Sequence, residues 1–144
     1  MSNLVIVGID GSDGSQRALD FAIARAKAGG HSLLLACIIP HSTHAFLTMD
    51  ELTRNDAWRR DQESKALTQI IEPALAKVRE AGVEVESRVR FGIPIEVFGE
   101  LATETGASHI VVGRRGLSKV KAVLFGSIAS SLVQTSPVPV TVVP

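Results

Sequence analysis

The chain has 144 residues, 45% hydrophobic and 21% charged, enough for one domain with a sizeable core and too polar for a membrane protein. Lys plus Arg and Asp plus Glu stand at 15 each, so net charge gives no argument for nucleic acid or an anionic membrane as partner. The single cysteine, Cys37, excludes an internal disulfide framework, and no signal pattern precedes Leu4, so the expectation is a cytoplasmic protein.

LVIVGID (4–10) is a short β-branched run that predicts a strand buried on both faces. GSDGS (11–15) is turn chemistry, with Ser12 or Asp13 placed to cap a helix. Ala18, Leu19, Ala22, Ile23 and Ala26 recur at helical spacing until Gly29-Gly30 stops the helix. SLLLACII (32–39) predicts a second buried strand, closed by Pro40. HSTHAFLTMDEL (41–52) reads as a long polar surface loop. A helix is expected from about Thr53 to Ala81, with a kink or break near Gln69 to Pro73 because proline removes a helical donor.

VEVESRVRF (83–91) alternates apolar and charged residues, the pattern of a strand with one wet face at a sheet edge. Pro94 suits the first turn of a helix that runs to Gly106. HIVVG (109–113) predicts a fourth strand, followed by a glycine loop, a helix from Ser127 to Gln134 and a proline-containing strand, VPVTVV (138–143). This alternation predicts a three-layer α/β/α sandwich spanning residues 1–144, with a five-stranded parallel sheet of order 3-2-1-4-5, Rossmann-like in build. The continuous apolar runs belong at its centre and the third and fifth strands at its edges.

In such a sheet ligands bind beyond the carboxyl ends of the strands, where the strand order reverses, here between strands one and four. Both strands end in glycine-rich loops, GIDGSDG (8–14) and VGRRG (112–116). Neither GxxxxGK[ST] nor GxGxxG occurs at the expected place. Asp10 would repel a pyrophosphate after strand one; it suits hydrogen bonds from a base or ribose, or else a capping role. Phosphates fit the second loop. Gly113 and Gly116 allow close backbone approach, Gly126 and Ser127 open a helix with free N–H donors, and Arg114, Arg115, Lys119 and Lys121 add positive charge. His41 and His44 form an H-x2-H pair without matching ligands, so no metal site is expected of them.

The spacing Gly113-x2-Gly116-x9-Gly126-Ser127 resembles the nucleotide-binding signature of the universal stress protein family. The stretches VGIDGSDGSQRALDFA, FGIPIEVFGELATETGASHIVVGRRG and SSLVQTSPVPVTVVP resemble the family's opening, middle and closing segments, so the likeness covers the whole chain. It implies an ATP-binding protein with a regulatory role in stress. Asp10 would hold the adenine or ribose side and Ile9 would line that pocket. Cys37 falls where a backbone contact to adenine is made, and Val112 and Gly113 would flank the ribose. Gly116, Gly126 and Ser127 would bind phosphates, with Ile128 beside them. Arg114 stands where the family more often has a small polar residue, and it either clamps a phosphate or crowds it; Arg115 is a second candidate contact. The family also dimerises through the closing strand, here Val138, Val140 and Val142, an apolar edge that is a liability in a monomer.

Between Val112 and Ser130 there is no Asp, Glu, Gln, Asn or His. No residue there orients an attacking water, so ATP hydrolysis is expected to be very slow. Mg²⁺ would depend on phosphate oxygens and water. The competing readings are an enzyme that hydrolyses ATP or transfers its phosphate, and a dimeric interaction protein whose site stays empty. Protein partners are not legible in the sequence.

Overall fold

The computed structural model describes residues 3–40, 49–115 and 126–144. The first apolar run forms strand β1, Leu4–Gly8. Its central residues are buried on alternating faces, Val5 and Val7 toward one layer and Ile6 toward the other. The strand stops two residues short of the expected end, because Asp10 is already part of the turn into helix α1, Asp13–Gly29. Ser12 is the N-cap of α1, and its hydroxyl accepts from the Ser15 N–H at 3.1 Å. At the other end Gly30 takes a left-handed φ of +70° and its N–H donates to the Ala26 carbonyl.

Strand β2, Ser32–Pro40, follows. Helix α2 spans Met49–Ala66, so it begins inside the stretch expected to be loop. Residues 41–48, with His41 and His44, lie outside the described residues. The expected break takes the form of a π-helical turn, Leu67–Ile71, in which the Glu72 N–H reaches the Leu67 carbonyl. Helix α3, Glu72–Glu80, carries Pro73 in its first turn, where a missing N–H costs least. Strand β3 is Val85–Gly92, helix α4 is Pro94–Thr105 and strand β4 is His109–Gly113. Helix α5 is Ser127–Thr135 and strand β5 is Val140–Val143.

The sheet order is β3-β2-β1-β4-β5 and every pairing is parallel, as the element pattern predicts. On one face α1 and α3 bury Ala18, Leu19, Ala22, Ala74 and Val78 against Val5, Val7, Leu33, Leu35 and Val111. On the other, α4 and α5 bury Val97, Phe98, Leu101, Ala129 and Leu132 against Ile6, Leu34, Ala36, Ile110 and Val112. Parallel strands bring all five carboxyl ends to one rim, and the first and fourth stand side by side there. Among the described residues no helix is long and apolar enough to cross a membrane.

Candidate functional site

The turn after β1 is wired by its own side chains. Asp10 Oδ1 accepts from the Ser12 N–H at 2.9 Å and from the Ser12 hydroxyl at 2.5 Å. Ser15, 5% exposed, donates its hydroxyl to the Ser12 carbonyl and accepts from the Asp10 N–H. The carboxylate of Asp10 is therefore held in place by the cap of α1 through one oxygen. Gly11 provides the left-handed step this turn needs, with φ +83°, and Ile70 of the π-helical turn lies against it.

The end of β4 meets this turn at backbone distance. A Cβ built on Gly113 would lie 2.6 Å from the Gly14 carbonyl oxygen, and one on Gly14 would collide with the Arg115 carbonyl. The two glycines thus let the start of α1 and the loop after β4 touch. The Arg114 peptide joins two further elements. Its N–H donates to the Val143 carbonyl of β5 at 2.7 Å, and its carbonyl accepts from the Gly126 N–H at 2.6 Å. Gly126 precedes α5 without any side-chain cap. Among the described residues the first N–H groups of α5 thus have neither a helical acceptor nor a cap, and they carry the positive end of its dipole.

Between these two loops lies a cleft of about 270 Å³. Ile9, Asp10, Val112, Gly113, Gly126, Ser127 and Ile128 all line it, so those sequence candidates converge on one place. Arg115 lines it as well. Arg114 is not among the lining residues; it is half-buried, and its Nε has no partner among the described residues. Gly116, Lys119 and Lys121 lie outside the described residues. Cys37 is 4% exposed on the α1–α3 face, while its neighbours Ala36 and Ile38 line the cleft. Burial first, and then the charge of Asp10, pushes the Cys37 thiol up to about 11.

Sequence reasoning did not single out Gly8, Ser12, Ser15, Ala36, Ile38, Pro40, Phe98 and Ala129 as lining residues. Strand alternation around Cys37 is a signal for Ala36 and Ile38. Phe98 has none, since it reads as an ordinary core position of α4.

Chemically the cleft has two kinds of polar group. Asp10 offers an acceptor. The start of α5, the Ser127 hydroxyl and Arg115 offer donors and positive charge. Ile9, Ile38, Phe98, Val112 and Ile128 give it apolar walls. Such a site suits an anion attached to a flat, partly apolar group. Among the described residues no cluster of three or more His, Cys, Asp or Glu is placed to hold a metal.

The family model of the universal stress protein family matches residues 1–144. The chain belongs to this family. Universal stress protein YxiE of Bacillus subtilis is 35% identical over 151 residues, covering 99% of each chain. Among solved structures, a universal stress protein in complex with cAMP is 30% identical, with a TM-score of 0.63 and coverage of 98% of this chain and 95% of that one. MJ0577 superposes with a TM-score of 0.78 at 22% identity, covering 97% of this chain and 94% of that one, and shares the fold.

Proposed function

We propose that this family member binds ATP in the cleft between β1 and β4 and serves as a regulatory protein of the cytoplasm. The observation that carries the reading is the convergence of the Asp10 turn, the uncapped start of α5 and Arg115 on one cleft where the strand order reverses. The base and ribose take the side of Asp10, Ile9 and Val112. The phosphates take the side of Gly126, Ser127 and Arg115, and Mg²⁺ rides on their oxygens. The one carboxylate among the described lining residues is Asp10, already held by Ser12. Turnover should stay well below the roughly 1 to 100 per second of kinases. Two copies pair through β5, whose sole partner among the described strands is β4 and whose flank carries Val138, Val140 and Val142.

The test is to denature the purified protein, identify any released small molecule by mass spectrometry, and titrate ATP into the nucleotide-free protein. Asp10→Ala should weaken binding, and Gly126→Val should weaken it more, because a side chain there fills the approach to the α5 N-terminus. Unchanged ATP affinity in both folded variants would sink the assignment. The 30% identical family member solved with cAMP favours a second reading, in which a mononucleotide is the ligand. Parallel titrations with ATP, AMP and cAMP separate the two.

A further inference from the structure

On the sheet face turned toward α4 and α5, the two strands under the cleft each place a small residue after a large one: on β1, Ile6 is followed by Gly8, and on β2, Leu34 is followed by Ala36. Gly8 and Ala36 are paired in register, so between Val112 on β4 and Ile38 further along β2 these two positions add almost no side-chain bulk. The space above them is the inner end of the cleft, which both residues line. One large side chain reaches into that space from outside the sheet. Phe98 of α4, 4% exposed, also lines the cleft. Its ring tip lies so close to Gly8 that a Cβ there would stand 2.7 Å from Cζ and 3.1 Å from Val112 Cγ1.

We infer that Phe98 is a specificity-determining residue, the floor that sets the depth of the cleft and so the size of the base it admits. This rests on the cleft holding a nucleotide, as proposed above. The small pair Gly8 and Ala36 leaves room for a flat ring system between Ile38 and Val112, and the phenyl group decides how far that room extends. A longer base meets the ring tip before its phosphates can reach Ser127 and Arg115. A shorter base leaves apolar surface of the floor uncovered. The phosphate end is built by other elements and is indifferent to the floor.

Calorimetric titrations of ATP, CTP, N6-benzyl-ATP and inorganic tripolyphosphate test this on the full chain, on Phe98→Leu and on Gly8→Ala. The wild type should prefer ATP to both other nucleotides. Phe98→Leu should shift the ratio of N6-benzyl-ATP to ATP affinity by about tenfold toward the larger base. Gly8→Ala adds bulk at the floor and should shift the ratio of ATP to CTP affinity by about tenfold toward the smaller one. Tripolyphosphate affinity should not move in either. Should Phe98→Leu fail to fold, Gly8→Ala decides alone. Unchanged ratios with ATP binding intact would overturn the inference and leave the nucleotide site standing, as would a wild type that accepts N6-benzyl-ATP as tightly as ATP. A wild type that binds none of the nucleotides would overturn both.

Discussion

Replacing Gly113 with alanine isolates the contact on which the cleft is built. The φ of Gly113 is not left-handed, unlike that of Gly11 at +83°, so alanine fits the backbone there and only the collision matters. The new Cβ would stand 2.6 Å from the Gly14 oxygen and 2.7 Å from its carbonyl carbon, where ordinary contact begins at 3.4 Å. Both groups are backbone, so neither can rotate away. The start of α1 and the end of β4 must separate by about 0.8 Å, against strand pairings and core contacts that hold both. Overpacking of this kind costs about 1–3 kcal/mol. For a chain of this length that lowers Tm by about 4 to 12 °C. Scanning calorimetry on the wild type, Gly113→Ala, Gly14→Ala and the double variant measures it. Gly14→Ala should also destabilise. The double variant should lose less than the sum, because one separation relieves both collisions. A Gly113→Ala protein melting within about 1 °C of wild type would refute the reasoning, since a close approach that tolerates a methyl group is not a close approach.

Burial first, and then the neighbouring charges of His31 and Arg25, hold His109 below its usual value of 6.5. The unfolded chain therefore takes up the proton first as pH falls below 6.5, and stability drops in that window; urea titrations at pH 7.5 and 5.5 should show a larger loss for wild type than for His109→Gln. With its thiol raised to about 11 and 4% exposed, Cys37 should resist alkylation at pH 8 until the protein unfolds; labelling at the rate of a free thiol would contradict its burial. Val140→Lys on the β5 edge should give monomers in sedimentation while the wild type sediments as a dimer, and a wild type already monomeric at micromolar concentration would end the pairing proposal.

Most of the architecture was legible because each buried strand announces itself as an apolar run and three of the helices, α1, α3 and α4, stop at a glycine. Gly30, Gly82 and Gly106 all take the left-handed conformation that their positions suggest. The edge strands showed through alternation in β3 and proline before β5. Less legible was the start of α2, since the four residues 49–52, two apolar and two acidic, are too short a stretch to show helical periodicity. Pro73 signalled a break but not its form, because a π-helical turn depends on which carbonyl the next free N–H can reach. At the cleft, Asp10, Gly113 and Gly126 stood out by residue type and spacing. Phe98 and Gly14 did not. Their roles arise from contacts with Gly8 and Arg115, far away in sequence, and such pairings become visible only when the strands are side by side.

The turns that lead into β2, β3 and β4 pass through Gly30, Gly82 and Gly106, all exposed, and a Cβ on any of them would meet nothing within 4 Å. They sit at the amino ends of the strands, across the sheet from the cleft. For anyone wishing to handle this protein, that rim is its grip. Because all three hold a left-handed φ, a side chain on the glycine itself would strain the backbone, but a few inserted residues that keep the glycine would press on no neighbour and would stand a full strand's length from the cleft, so a signal read there would report on the molecule without touching that site.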